Sequence, residues 1–238
     1  MCMGDYTNMS AYYDTIMTSG YYDYAGIVDS LTAHQPFSNI LEIGCGTGLI
    51  LEEIARRYPA TRLTGIDLTG AMLEIAQKRL QPFHNVALSL QNVIHFDLGQ
   101  VFELAFSYGG VWYFVIDGDH EPFMVSHLPA AADNHQGIER VANHLTKGSK
   151  LLLGTQGPHH NYERVISNGM TYSQTIAPSE DGFSKNYYLA DGAQTVMAQT
   201  LQYRTYSFAE ACRLLSACGL EYISEETTPK RFLAFVKT

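Results

Sequence analysis

Two carboxylates flank a glycine-rich loop, and their spacing defines the kind of ligand the loop can take. Glu42 closes a short apolar run just before Gly44-Cys45-Gly46-Thr47-Gly48, and Asp67 closes the next apolar run, 23 residues after Gly44. Glycines at alternate positions of a strand-to-helix turn reach backbone angles other residues avoid and leave no Cβ between chain and ligand. A dinucleotide fingerprint would carry its third glycine at position 49, which is leucine. A carboxylate at position 42 would repel a pyrophosphate but suits an ammonium or another cation. An acid placed like Asp67 accepts hydrogen bonds from both hydroxyls of a ribose. Residue type and spacing together point to a nucleoside with a positively charged tail.

Other residues have chemical potential but weaker patterns. The stretch from Gly109 to His120 holds the only tryptophan, Trp112, and ends in a histidine near Asp117 and Asp119. His120 is a candidate general base, its basicity raised by either acid. Asp117-Gly-Asp119 resembles a metal-binding DxD, but no further ligand is spaced to complete it. His159-His160 has no third ligand at zinc spacing and reads as a pocket-rim pair. No metal is expected.

The elements that must hold these residues alternate in type. Asn39 to Ile43 reads as a strand, and Ile50, Leu51, Ile54, Ala55 and Tyr58 recur at helical spacing before Pro59. Arg62 to Leu68 is a second strand, followed by a helix from Thr69 to Leu80, with Glu74 and Lys78 paired at i,i+4. Val86 to Leu90, Leu104 to Tyr108 and Lys150 to Gly154 complete the strands, with a helix around Gly137 to Leu145 before the last. This alternation means a parallel sheet. Beyond Gly157 the runs Thr171–Ile176, Asn186–Leu189 and Gln194–Tyr203 are rich in Tyr, Thr and Val, with Asp191-Gly192 as a hairpin turn. Ser207-Phe-Ala-Glu210 is a capping box for a helix that Gly219 closes, and a hairpin of Leu220–Ser224 against Arg231–Val236 ends the chain. The organisation is a cap over 1–37 anchored by Ile27, Val28 and Leu31 in a helix ending before Pro36. A ligand-binding core follows over 38–157, then an antiparallel insertion over 158–204, and the closing helix and hairpin over 205–238.

Bulk properties narrow the partners. The 238 residues carry a net charge of −9 with 46% apolar residues, which suits a globular chain and offers no basic stripe for nucleic acid. The four cysteines, Cys2, Cys45, Cys212 and Cys218, form no CxxC pair and read as reduced thiols of a cytoplasmic protein. No apolar run approaches the ~20 residues that span a bilayer, and the start lacks the features of a signal peptide. The expected partners are a small-molecule substrate and, at most, a second copy of the chain, with no membrane.

Glu42-x-Gly44-Cys45-Gly46-Thr47-Gly48 and Gly65-Ile66-Asp67-Leu68-Thr69-Gly70-Ala71-Met72-Leu73, at their observed separation, resemble the first two motifs of the class I S-adenosylmethionine-dependent methyltransferases. The resemblance covers roughly residues 39 to 155, and Tyr203 to Thr238 as the closing helix and hairpin. It implies an α/β, Rossmann-like, seven-stranded and mostly parallel sheet with helices on both faces, an antiparallel C-terminal hairpin and, here, an inserted β lid. It also implies S-adenosyl-L-methionine as cofactor, S-adenosyl-L-homocysteine as product, and transfer to nitrogen or oxygen of a small organic acceptor. The loop, with Glu42, Gly44, Cys45, Gly46 and Gly48, would meet the methionine part, and Asp67, Leu68 and Met72 the ribose side. Asn92 and Val93 fall where the adenine would lie, and Ser107 and Tyr108 near the sulfonium.

The opening Tyr12-Tyr13-Asp14 and Tyr21-Tyr22-Asp23-Tyr24 are similar to the start of the sugar and amine N-methyltransferase branch, where a Tyr-Asp segment folds over the cofactor. Tyr13 and Tyr24 are the candidates for that cover, and Tyr22 is a catalytic candidate beside His120. Two alternatives stay open: an enzyme of the same fold that holds the cofactor for a non-methylating step such as cyclisation, and a regulatory subunit with a vestigial site.

Overall fold

The computed structural model describes residues 6–33, 37–224 and 231–238, so that Cys2 and Pro36 lie outside the described residues. The chain opens with α1 (Ser10–Thr18) and α2 (Tyr24–Thr32), the latter capped by the Asp23 side chain and burying Ile27, Val28 and Leu31. From there strand and helix alternate through β1 (Asn39–Ile43), α3 (Leu49–Arg57), β2 (Arg62–Asp67), α4 (Gly70–Leu80) and β3 (Val86–Leu90). Next come β4 (Phe102–Ser107), β5 (Trp112–Val115), β6 (Phe123–Ser126), α5 (Ala131–Asn143) and β7 (Leu145–Gln156). The remainder is β8 (Tyr162–Val165), β9 (Thr171–Ser179), β10 (Gly182–Asp191), β11 (Gln194–Ser207), α6 (Phe208–Ala217), β12 (Leu220–Ile223) and β13 (Phe232–Lys237).

Seven strands form the core in the order β3-β2-β1-β4-β7-β13-β12, parallel as far as β7. β13 runs antiparallel to β7 and pairs with β12, closing the sheet with the C-terminal hairpin. Every residue of β1 is buried, as expected of a central parallel strand covered on both faces. α3 turns Ile50, Leu51, Ile54 and Ala55 onto that sheet, the periodic set legible in the sequence. At α6, the Ser207 hydroxyl accepts from the Glu210 amide while the Glu210 carboxylate accepts from the Ser207 amide.

One feature goes beyond the sequence reading. The stretch after β4, to which the sequence assigns no element, is a hairpin of β5 and β6. Its four-residue β5 is wholly buried, because Trp112 and Phe114 point into the core while Tyr113 and Val115 point toward the lid. β5 pairs with the end of β7 through Phe114↔Thr155 and Val115↔Gln156, and β6 pairs with β11. The lid strands β11-β10-β9-β8 therefore continue the core sheet, giving thirteen strands among the described residues. Trp112 is structural: its Nε1–H donates to Asn134 Oδ1 at 2.8 Å, and its ring packs over Gly137.

Candidate functional site

The loop between β1 and α3 turns on three glycines with positive φ: Gly44 at 73°, Gly46 at 53° and Gly48 at 79°. They do different work. A Cβ on Gly44 would come within 3.1 Å of Gly110 Cα, so two backbone segments cross here with no room for a side chain. At Gly46 the missing side chain leaves space 3.9 Å from the Tyr13 ring, which lies over the loop. Gly48 turns away from the cleft, since a Cβ there would lie 2.8 Å from Leu80 Cδ1. Gly48 thus lets α3 pack against α4, and the expectation that it contacts a ligand is corrected.

A cleft of about 710 Å³, partly open to solvent, runs along the carboxyl edge of β1, β2 and β4. Asp67 lies in its wall, where Oδ2 accepts from the Gly46 amide and Oδ1 from the Thr69 amide, both at 2.8 Å. Burial raises the Asp67 pKa and these amides oppose the rise. Each oxygen keeps a further lone pair for a ligand hydroxyl. Leu68, Met72, Asn92 and Val93 line the same cleft, bringing together the residues expected around a nucleoside. Asn92 Oδ1 is taken by the Ile94 amide at 3.1 Å, which leaves its NH₂ as the free polar group.

At the other end the cleft passes Gly44 into a small chamber lined by Glu42, Cys45, Tyr13, Tyr22, Tyr24 and Tyr108. Glu42 is 3% exposed, and its Oε2 has no hydrogen-bond partner among the described residues. Burial, with the charge of Asp67 second, pushes its pKa well up. A buried acceptor without a donor costs ~1–3 kcal/mol, so the position calls for a ligand cation or N–H group. Ser107 is wholly buried beneath Gly110 with its hydroxyl unpartnered, and it does not line the cleft. Its expected cofactor contact is corrected: the crossing of Gly110 over Ile43 and Gly44 covers it.

A third space opens beyond Gly109, walled by Tyr6, Tyr13, Tyr21, Tyr22, Tyr113, Tyr187 and Tyr203 with Met9, Met17, His127, Gln156 and Lys185. The Tyr22 hydroxyl accepts from Gln156 Nε2 at 3.0 Å and reaches so close to Gly109 that only glycine fits there. His127 follows β6. Its Nδ1 faces Val111 O at 3.3 Å and its Nε2 faces the Tyr6 hydroxyl at 3.1 Å. With Nδ1–H donating to the carbonyl, Nε2 is left as an acceptor. Burial lowers the His127 pKa to about 4, so the ring is neutral at pH 7. Tyr6 approaches Tyr203 at 3.4 Å, and Tyr203 pairs with Tyr187 at 2.8 Å. His120, the sequence candidate for a base, sits on the exposed β5–β6 turn and lines none of these spaces. Its two acidic neighbours belong to the same solvated turn, and no group of three metal-ligating side chains occurs among the described residues.

Residues 40–126 match the family model of a methyltransferase domain. The core has the Rossmann-like α/β fold of class I methyltransferases. The chain is 33% identical over 69 residues to malonyl-[acyl-carrier protein] O-methyltransferase 1 of Ilyobacter polytropus, covering 29% of this chain and 26% of that protein. Trans-aconitate 2-methyltransferase of Deinococcus radiodurans is 25% identical over 170 residues, 71% of this chain and 57% of its own length. The chain therefore spans from about a quarter to just over half the length of these two relatives. Among solved structures, the S-adenosylmethionine-bound amino pentose methyltransferase CalS10 of Micromonospora echinaspora superposes with a TM-score of 0.68 at 22% identity, covering 95% of this chain and 96% of that one. DesVI of Streptomyces venezuelae gives 0.70 at 19% identity, over 96% and 98%.

The residues of the Asp67 cleft were largely visible from motif spacing, whereas the inner chamber was not. Tyr6, His127, Gln156, Lys185, Tyr187 and Tyr203 converge from five separate segments and carry no local signature. One signal was available. Lys185, Tyr187 and Leu189 alternate on one face of β10, which places a lysine on an otherwise apolar stripe.

Proposed function

We propose that the chain is an S-adenosylmethionine-dependent methyltransferase that acts on nitrogen or oxygen of a small acceptor. One observation carries the reading. The cleft holding Asp67 leads past the glycine loop to the unpartnered Glu42, and at that junction it meets an aromatic chamber roofed by the lid. Donor and acceptor thus have separate compartments that share the Tyr13, Tyr22 and Gly109 wall. The donor set fits the cofactor: Glu42 offers an anionic acceptor to an α-ammonium, Asp67 to a ribose, Asn92 an amide to a purine edge, and Leu68, Met72 and Val93 apolar walls.

When bound, the cofactor would supply a methyl group whose C–S bond breaks as the acceptor lone pair bonds the methyl carbon in line, the thioether being the leaving group. The chain has to align the acceptor and exclude water, which together supply most of the rate enhancement in such a reaction. Tyr13 and Tyr22 cover the junction, their ring faces suiting a positively charged centre. The neutral His127 accepts from the Tyr6 hydroxyl on its Nε2 and so fixes that hydroxyl, whose oxygen presents a lone pair to an acceptor N–H or O–H. Its low basicity makes it a positioning residue rather than a store for the proton. Three described cysteines are free thiols, and no helix is long and apolar enough to cross a membrane, which supports a cytoplasmic enzyme. The net charge of −9 supports a small acceptor over a nucleic acid.

Incubation with methyl-labelled S-adenosylmethionine and a panel of small amines, alcohols and acids tests the proposal. Label transferred to an acceptor is the expected result. Calorimetric binding of the cofactor with no transfer to any of them would favour the non-methylating alternative.

A further inference from the structure

Lys185 is 3% exposed, on the inward face of β10 between Leu201 of β11 and Ile176 of β9. No carboxylate pairs with it among the described residues. Its ammonium lies over the Tyr187 ring, 5.3 Å from the centroid, which offsets only part of the cost of burying a charge. That cost lowers its pKa to about 8, leaving it mostly charged at neutral pH. The side chain borders two spaces at once: the aromatic chamber and a neighbouring, wider cleft between the end of β7 and the lid strands.

The second cleft, about 720 Å³ and partly open to solvent, is polar where it meets Lys185. Gln156 and Tyr22 stand at the shared wall. His159 stacks on Tyr113 and holds one nitrogen near Gln156 Oε1 at 3.3 Å, while its Nδ1 is buried without a partner. Gln174 donates to the His160 carbonyl and keeps a buried, unpartnered Oε1. The two unpartnered atoms are acceptors, Gln174 Oε1 as an amide oxygen and His159 Nδ1 because Nε2–H donates to Gln156, so they suit N–H or O–H groups. It is the uncompensated Lys185 ammonium at the rim of the acceptor chamber that calls for an anion.

Resting on the acceptor chamber proposed above, we infer that the acceptor is a small carboxylic acid, anchored by its carboxylate at Lys185 while a separate nitrogen or oxygen faces the methyl donor. Charge counting selects a monoanion. Lys185 is the one lysine or arginine among the described residues lining either space, and a phosphate or diphosphate calls for more than one cation. The anchoring group is not the reacting one, because pairing with an ammonium withdraws electron density from the carboxylate oxygens.

The probe is benzoate against its neutral isostere benzamide, titrated calorimetrically into protein saturated with S-adenosylhomocysteine and, separately, into protein alone. Benzoate is expected to bind about tenfold or more tightly than benzamide, a difference of about 1.4 kcal/mol. Lys185→Met is expected to erase that difference while S-adenosylhomocysteine affinity is kept and the protein melts no lower than wild type. Equal affinity for the two probes, no binding of benzoate at millimolar concentration, or a preference that survives in Lys185→Met overturns the inference. Tighter binding of phenyl phosphate than of benzoate overturns the carboxylate assignment. Failure of S-adenosylhomocysteine to bind refutes the cofactor reading instead, and the titration without it still decides the anion site.

Discussion

Asp14 Oδ1 accepts a 2.6 Å hydrogen bond from Thr47 Oγ1, so the cap helix α1 is fastened directly to the glycine loop it covers. The other Asp14 oxygen pairs with Arg79 of α4, whose Nε–H donates to the Thr47 carbonyl at 2.9 Å and whose NH1 reaches Glu52 at 2.8 Å. Asp14, adjacent to Tyr13 in the chain, thereby sets that ring over Gly46. Asp14→Ala is expected to cost about 1–3 kcal/mol of stability, because Thr47 loses an acceptor and Arg79 a partner in a partly buried network. Denaturant melts measure that loss. Earlier proteolysis within residues 6–33 is the accompanying sign, and cleavage unchanged from wild type would refute the fastening role.

Glu42 and Asp67 should respond differently in stability and alike in binding. Glu42→Gln replaces a buried acid whose ionised form burial penalises, so the free protein should melt no lower at pH 7 while its affinity for S-adenosylhomocysteine drops roughly tenfold or more. Asp67→Ala deprives the Gly46 and Thr69 amides of their acceptor and should lower both stability and cofactor affinity, the latter by ~1.5–3 kcal/mol. Calorimetry paired with melting curves separates the two, and equal destabilisation by both would contradict the unsatisfied state of Glu42.

His120→Ala should leave turnover and stability within ~0.5 kcal/mol of wild type, as an exposed turn residue. His127→Ala should lower turnover about tenfold or more, because His127 and the Tyr6 it holds stand in the wall shared by the Asp67 cleft and the aromatic chamber. A fall in rate for His120→Ala comparable to that for His127→Ala would return the role to the turn.

Acid should destabilise the protein through its buried histidines. Burial holds His127 at about 4 and His159 at about 3, against an ordinary value near 6.5. Between those limits the unfolded chain binds protons on these two residues that the folded one does not, so the histidine contribution is full above about 6.5 and falls as pH drops toward 3, opposed by the raised pKa values of Glu42 and Asp67. Urea melts across that range should show the decline, and His159→Asn should flatten it. A slope identical to wild type would mean that His159 titrates freely in the folded state.

Lys185 has the opposite pH sense from a stabilising lysine. Its folded-state pKa of about 8 lies below the ordinary 10.5, so stability rises with pH between those values. Lys185→Met should raise stability at pH 7 by up to ~3 kcal/mol, and the gain should shrink toward pH 10. Destabilisation at pH 7 would show that the lysine has a structural partner.

The donor half of the site was readable because its residues lie within one βαβ unit. Glu42, the glycines and Asp67 are fixed relative to one another by adjacent parallel strands with register Glu42↔Gly65 and Ile43↔Ile66. The acceptor half is assembled across long sequence separations. Tyr6 meets His127, and Tyr22 meets Gln156, through tertiary packing that no local period encodes. The β5–β6 hairpin escaped for a related reason: four apolar residues after two glycines fit a loop as well as a buried strand. Trp112 and His120 attracted chemical readings because each is an uncommon side chain near the open edge of the sheet. One fills the core and the other faces solvent.

The continuity of the lid with β7 has a consequence for traffic. A flap that is part of the main sheet cannot swing without breaking ladder hydrogen bonds from Phe114 and Val115 through to β11. The N-terminal helices carry no such ladder, and α1 is joined to the loop by side chains. On the proposed function, ligands would pass the roof at α1, which would serve as the door while the β insertion stays a fixed wall.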